Sequence, residues 1–268
     1  MAIVALHSAS TGLSALSTDL DVIANNLANV NTVGFKGSRS NFENLLYQEK
    51  KQPGVENANG DARPAGLHVG LGTQISNTQL DFRTGSPQET GQETDMFIEG
   101  RGFFRVNALR DGENVVAYTR AGNFFRNRDG ELVLGTHDGP RLVPPVEIPD
   151  NIKSINISPD GLITGIMEGD DQPQDLGEIE LAWFTNPAGL EPGGGNLFFQ
   201  TDASGEAMVA QPGDAGMGTI LQGFLEMSNV DPVKELIGLI KTQRSFEMNS
   251  QSIQAADQAL QVVSNLRR

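Results

Sequence analysis

The 268-residue chain contains no cysteine, which excludes disulfides, thiolate metal sites and a cysteine nucleophile. It has no lysine or arginine before Lys36, so no basic segment of a cleaved secretory signal precedes an apolar core. No apolar run approaches the roughly 18–20 residues needed to span a bilayer. On these grounds the chain is expected to be cytoplasmic, or to leave the cell by a route that does not read such a signal. Positive charge is scarce: 19 Lys and Arg face 34 Asp and Glu, a net charge of −15. Nucleic acid and anionic membrane surfaces would repel such a chain. Histidine is rarer still. His7, His68 and His137 are scattered with no metal-ligand spacing around them.

The chemical motifs are missing as well. No nucleophile elbow, zinc-protease helix or phosphate-binding loop occurs. Gly100-Arg101-Gly102 lacks the third glycine of a dinucleotide fingerprint, and Gly193–Gly195 follows Pro192 in a loop. Asp170-Asp171 beside Gly169 specifies too few oxygen ligands for calcium and reads as a solvated turn. No catalytic, cofactor-binding or metal-binding residue emerges, and no cofactor is expected.

What the chain does have is two patterned ends. Over residues 1–33, small or apolar residues fall at Ala2, Leu6, Ala9, Leu13, Leu16, Leu20, Ile23, Leu27 and Val30. From Leu6 the steps alternate three and four, an a/d seam that calls for a partner helix. Asn31-Thr32-Val33-Gly34 supplies a terminator, with Gly34 suited to a left-handed cap. At the far end, Asp231-Pro232 places a capping residue before a proline at the first helical position. Leu239, Phe246, Ile253 and Leu260 then recur every seven residues, and Leu236, Ala256 and Val263 widen the stripe that also carries Asn249 and Asp257.

The middle, about residues 67–225, reads as β. Short apolar runs at Met96–Ile98, Phe103–Val106, Val115–Tyr118, Leu132–Leu134, Ile155–Ile157 and Ile179–Phe184 are separated by turn signals. Asp111-Gly112, Asp129-Gly130, Asp138-Gly139 and Asp160-Gly161 are hairpin-type dipeptides. Residues 47–66 (YQEKKQPGVENANGDARPAG) are polar without a period, which marks a linker or extended arm. The expected fold is α+β: long N- and C-terminal helices paired as a coiled coil, a central antiparallel β-rich domain, and an extended arm. The expected divisions are 1–35 with 230–268 as a terminal-helix domain, 36–90 as a linker and extended arm with β-strand segments, and 91–229 as a β-rich domain. A pair of terminal helices at opposite chain ends suggests an assembly subunit rather than an enzyme.

The stretch 24–36, ANNLANVNTVGFK, resembles the N-terminal signature of the flagellar rod and hook protein family. Residues 243–260, QRSFEMNSQSIQAADQAL, resemble its C-terminal signature, with SNVD at 228–231 entering it. TGQETDMFIEGRGFF at 90–104 and YTRAGNF at 118–124 are similar to strands of the family's β domain. The similarity therefore covers nearly the whole chain. Arg101, where the family often has an acidic residue, and the tail at 265–268 depart from the pattern.

Within the family, the arm followed by LHVGLGT at 67–73, NPAGLEPGGGNLF at 186–198 and GTILQGFLEMSNV at 218–230 resemble the distal rod members. Proximal rod and hook subunits are the alternatives. The resemblance implies a homopolymer, a hollow drive shaft next to proximal rod and hook proteins, with the P- and L-ring proteins as bushing. It also implies passage through the flagellar type III export apparatus without signal cleavage; no nucleic-acid partner is expected on charge. It assigns the inner tube to the N-terminal helix through Leu6, Leu13, Leu16, Leu20, Ile23, Asn25, Asn26, Leu27, Asn29 and Val30. From the C-terminal helix it takes Leu236, Leu239, Phe246, Asn249, Ile253, Asp257 and Leu260. Asn31, Thr32, Gly34, Phe35 and Lys36 carry the signature. Tyr47, Gln48, Gln52, Pro53, Gly54, Pro64 and Gly66 belong to the arm, whose role would be to straighten and stiffen the shaft. Asn25 and Asn26 are candidates for hydrogen bonds between subunits, whereas Asn31 reads as the start of a turn. A rod-associated peptidoglycan hydrolase would need a carboxylate acid in a cleft, and no paired constellation identifies one. A carbohydrate-binding β module would leave the two terminal helices without a role.

Overall fold

The structure, a computed structural model, describes residues 2–54, 64–110, 112–168 and 172–266. The chain forms two compact units. A helical unit holds Met1–Ala28, Ser38–Leu80 and Asp231–Arg268, and a β-rich unit holds Asn29–Gly37 and Asp81–Val230. The segment 36–90, expected to stand apart, is thus divided between the two.

Two long helices dominate the helical unit: α1 (Ala2–Ala28) and α2 (Pro232–Leu266). The start of α2 follows from its sequence. Asp231 Oδ1 accepts the backbone N–H groups of Val233 at 3.0 Å and Lys234 at 3.3 Å, and Pro232 has no N–H to leave unpaired. Those hydrogen bonds hold the Asp231 carboxyl below its ordinary pKa. The helix α1 stops at Ala28 rather than continuing to residue 33. The chain turns there: Thr32 N–H bonds to Asn29 O, Phe35 N–H to Thr32 O, and Gly34 takes φ +70°. Val30, which extends the heptad pattern, therefore lies outside the helix. At about 1.5 Å per residue, α1 is about 40 Å long.

Four strands complete this unit. β1 (Ser38–Asn44) pairs antiparallel with β4 (Thr73–Leu80), and β2 (Tyr47–Lys51) with β3 (Leu67–Gly70). The pairing Ser38↔Leu80 to Asn44↔Thr73 carries one bulge, between Asn41 and Phe42. Residues 55–63 of the expected arm, and the Gly169–Asp171 turn, lie outside the described residues.

In the β-rich unit, β5 (Pro87–Glu89) and β6 (Met96–Glu99) lead into the hairpin β7 (Phe103–Arg110) and β8 (Glu113–Thr119). Short strands β9 (Phe124–Arg126), β10 (Leu132–Leu134) and β11 (Arg141–Leu142) follow. Next come β12 (Ile152–Ile157), β13 (Leu162–Met167) and β14 (Pro173–Glu178), a three-stranded antiparallel sheet. The last strands are β15 (Leu181–Trp183), β16 (Glu191–Gly194), β17 (Leu197–Phe199), β18 (Met208–Ala210), β19 (Thr219–Gln222) and β20 (Phe224–Glu226). β7 is the spine of a nine-stranded sheet, bonded to β8, β11 and β15. β6 pairs with β19, and β5 with β20.

Every expected strand run contains a strand, and the glycines of the four Asp-Gly dipeptides all have positive φ, as hairpin turns require. The core packs Phe104, Phe124, Leu132, Leu134, Ile163 and Leu181, all buried. Phe104 and Phe124 meet edge to face at 5.4 Å. Charge is divided unevenly. The β-rich unit has 24 acidic and 10 basic residues, the helical unit 10 acidic and 9 basic.

Candidate assembly site

The α1 face turned to the rest of its own unit is small and polar. Ala15, Ile23 and Asn26 are buried, with Gly12 on the same face. Small residues let the helices close up. A Cβ at Gly12 would lie 3.1 Å from Asn249 Nδ2, and one at Gly238 would lie 3.6 Å from Ile23 Cδ1. Asp19 then ties three elements together: its carboxylate accepts the hydroxyls of Thr242 on α2, at 2.9 Å, and Ser40 on β1. The leucines of the expected seam, Leu6, Leu13, Leu16, Leu20 and Leu27, form a second stripe. At roughly 100° per residue it lies about a quarter to a third of a turn from the buried one, and its members are only half-buried.

Asn26 is buried and its amide is fully engaged within the chain. Nδ2 donates to Ser38 O at 2.7 Å, and Oδ1 accepts Ser38 N–H at 3.0 Å. The expectation that Asn26 bonds to another subunit meets this obstacle: its oxygen and one donor already join α1 to β1, and it also hydrogen-bonds Glu235 on α2. Asn25 is exposed on the other side. Glu235 lies near this junction. Burial raises its pKa, as do Asp19 and Asp231, and a hydrogen bond from Asn26 opposes the rise.

On α2, Leu239, Phe246, Asn249 and Ile253 are half-buried, whereas Leu236, Asp257 and Leu260 are exposed. Beside Leu236 stand Val233, Ile237 and Ile240, an apolar strip opposite the α1-facing side that the heptad pattern did not single out. Ile237 is 62% exposed. The strands add Phe42, Leu46 and Tyr47, of which Leu46 is 83% exposed. Tyr47 lies against Gly70, where a Cβ would be 3.3 Å from the ring, and its hydroxyl accepts from Asn44 at 3.2 Å. Gln48 sits on β2, and Gln52, Pro53 and Gly54 (φ +78°) lead out of it; Pro64 and Gly66 re-enter before β3.

The signature residues do something different: they belong to the β-rich unit. Gly34 N–H bonds to Glu226 O at 2.7 Å, and a Cβ on Gly34 would be 2.5 Å from Ala121 N, so only glycine fits. Lys36 is fully buried. Its Nζ donates to Glu226 Oε1 at 2.6 Å and to Arg83 O at 2.8 Å. Arg120 Nη1 stands 3.4 Å from Glu226 Oε2, and its guanidinium also donates to Ile98 O and Gly100 O. Burial lowers the pKa of Lys36, with Glu226 opposing it, and does the same to Arg120. Phe35 O accepts from Asn229 N–H, which fixes the same segment from a second point.

Asp19, Ser40, Thr242, Arg120 and Glu226 escaped the reading of the sequence. A faint signal existed for two of them. Arg120 and Glu226 are lone charges beside apolar or small residues in YTRAGNF and GFLEMSNV, and buried charges require partners. Nothing local identifies which partners. Among the described residues no group of His, Asp and Glu could hold a metal ion, and no helix is long and apolar enough to cross a membrane.

Three family models match the chain. Residues 6–36 match flagella basal body rod protein, residues 97–165 the flagellar hook protein FlgE/F/G D1 domain, and residues 221–266 the flagellar basal body rod FlgEFG protein C-terminal. The flagellar basal-body rod protein FlgG of Caulobacter vibrioides is 44% identical over 98% of this chain and 99% of its own length. FlgG of Borreliella burgdorferi is 42% identical, and that of Bacillus subtilis 39%, each over 98% of both chains.

Proposed function

The chain belongs to the family of flagellar basal-body rod proteins, and we infer that it is the structural subunit of the distal rod, polymerising into a hollow shaft that carries torque from motor to hook. It is a structural protein and not an enzyme. It assembles in the basal body with other rod and hook components. The observation that carries this reading is the state of the helical unit. Among its described residues only Ala15 and Ile23 are buried apolar side chains, while Val233, Leu236, Ile237, Ile240, Phe42, Leu46 and Tyr47 stand exposed. Apolar surface of that extent belongs against neighbours.

In this proposal α1 and α2 of successive copies pack as coiled coils to form the inner tube, with the half-buried leucine stripe and the outer strip of α2 as lateral contacts. Burial of one such leucine contributes about 1.5–3 kcal/mol. The arm at 47–66 extends between copies and stiffens the shaft. The P- and L-ring proteins surround it in the periplasm, and the chain reaches its place through the flagellar type III export apparatus with its N-terminus intact.

Electron microscopy of isolated basal bodies bearing a tag on this chain tests the reading. The label is expected on the rod between the rings and the hook; label confined to the hook or the proximal rod would assign the chain to another member's place. Deletion of residues 47–66 is expected to yield curved or flexible polymers, and straight shafts of unchanged stiffness would refute the role given to the arm.

A further inference from the structure

The cluster around Glu226 contains two buried cations and one buried anion. Each comes from a different part of the chain: Lys36 from the segment after α1, Arg120 from the turn after β8, Glu226 from the end of β20. Every oxygen of the Glu226 side chain is used, Oε1 by Lys36 and by Gly85 N–H at 2.8 Å, Oε2 by Arg120. The backbone around it is pinched as well. A Cβ on Gly85 would be 1.9 Å from Met227 O. On the cation side the count is in excess, and Arg120 Nε is buried without a partner.

We propose that Lys36, Arg120 and Glu226 form a latch governed by charge count, which closes the β-rich unit only once residues 29–37 and the β20 segment have both docked. Without β20, Lys36 and Arg120 would share a dry site with no buried anion, since Asp81, the other carboxylate acting on Lys36, is part-exposed and paired with Arg83, and like charges in a low-dielectric site repel. Without residues 29–37, Glu226 keeps one cation, Arg120, and the site is electrically neutral. The two losses are therefore unequal. A chain appearing from its N-terminus onward cannot close this unit until residue 226 is available, so the last strand decides when the first signature segment is held.

Charge count and simple packing make different forecasts. Glu226→Gln raises the net charge of the three buried groups from +1 to +2. Lys36→Met lowers it to zero. The double change returns it to +1. The readout is urea unfolding of the full chain followed by the fluorescence of Trp183, the only tryptophan, which stacks on Phe103 at 6.3 Å while Phe103 lies under Arg120 at 5.5 Å. Glu226→Gln is expected to lower the unfolding midpoint by about 1 M urea or more, and Lys36→Met by less. The double variant is expected to unfold at higher urea than Glu226→Gln alone. Chymotrypsin is expected to cut after Phe35 in native Glu226→Gln but not in the parent or the double variant. A double variant no more stable than Glu226→Gln, or Lys36→Met as damaging as Glu226→Gln, would overturn the latch. If Glu226→Gln does not fold, a cooperative transition in the double variant supports the proposal and its absence overturns it.

Discussion

The two units solve opposite problems with the same chain. The β-rich unit holds 11 of the 13 phenylalanines and nearly all of the net negative charge. It closes on aromatic and branched side chains, so it is complete by itself. The helical unit has a near balance of charge, small residues where its helices meet, and polar ties at Asp19 and Asn26 where a core would otherwise be. Small residues bring backbones close but bury little apolar area, so the gain per residue scarcely offsets the entropy of ordering two long helices. One unit is built to be stable; the other is built to be finished by neighbours. A dense negative charge on the finished unit keeps free subunits apart, whereas the neutral helical unit places no such barrier between copies.

Amide exchange on the unassembled subunit gives the broadest test of this contrast. Residues 5–28 of α1 are expected to exchange fast and β6 and β7 slowly, with α1 becoming protected on polymerisation; strong protection of α1 in the free subunit would erase the distinction. Next in size are matched deletions. Phe104→Ala, at a fully buried position, should destabilise the β-rich unit by about 3–5 kcal/mol, measured by Trp183 fluorescence in urea. Leu236→Ala, at an exposed one, should change subunit stability by less than about 0.5 kcal/mol while reducing polymer yield in a sedimentation assay. Equal losses of stability would show that the helical unit has a core after all.

Smaller effects probe the polar ties. Asn26→Ala leaves both backbone groups of Ser38 unpaired, and a loss of about 1–3 kcal/mol is expected in the helical unit. Faster exchange at the start of β1, with an unchanged Trp183 transition, is the signature to look for. Glu235 gives a pH dependence whose sign is set by its raised pKa. The ionised form is disfavoured in the folded state, so the helical unit gains stability as pH falls through that raised value. Glu235→Gln is expected to increase the thermal stability of the helices at pH 7, read by circular dichroism, and to reduce the difference between pH 7 and pH 5. A larger difference in the variant would contradict the environment assigned to Glu235.

Much of the architecture could be read locally. The cap at Asp231-Pro232, the Asp-Gly turns and the strand runs each depend on a few adjacent residues, and a local pattern fixes a local conformation. The heptad spacing marks the helices but not every face they bury. Leu13, Leu16, Leu20 and Leu27 mark an apolar stripe, but the face that α1 turns inward is the adjacent one, because Gly12, Ala15 and Asp19 admit closer neighbours. The same rule explains why the polar, poorly periodic Ser38–Leu80 gives no local sign of belonging with the helices: it is tied to α1 by scattered hydrogen bonds, to Asp19, twice to Asn26, and to His7, Ser8 and Thr11.

The α+β class, the two helices, six of the strand runs and the family are legible in the residues alone. Only the tertiary structure decided that α1 ends at Ala28, that Asn26 is occupied within the chain, and that the signature ending in Lys36 serves the β-rich unit. The reason is range. Caps, turns and periods are written between neighbours, whereas the buried Glu226 acquires its meaning from partners 106 and 190 positions away, brought together only by the closed fold.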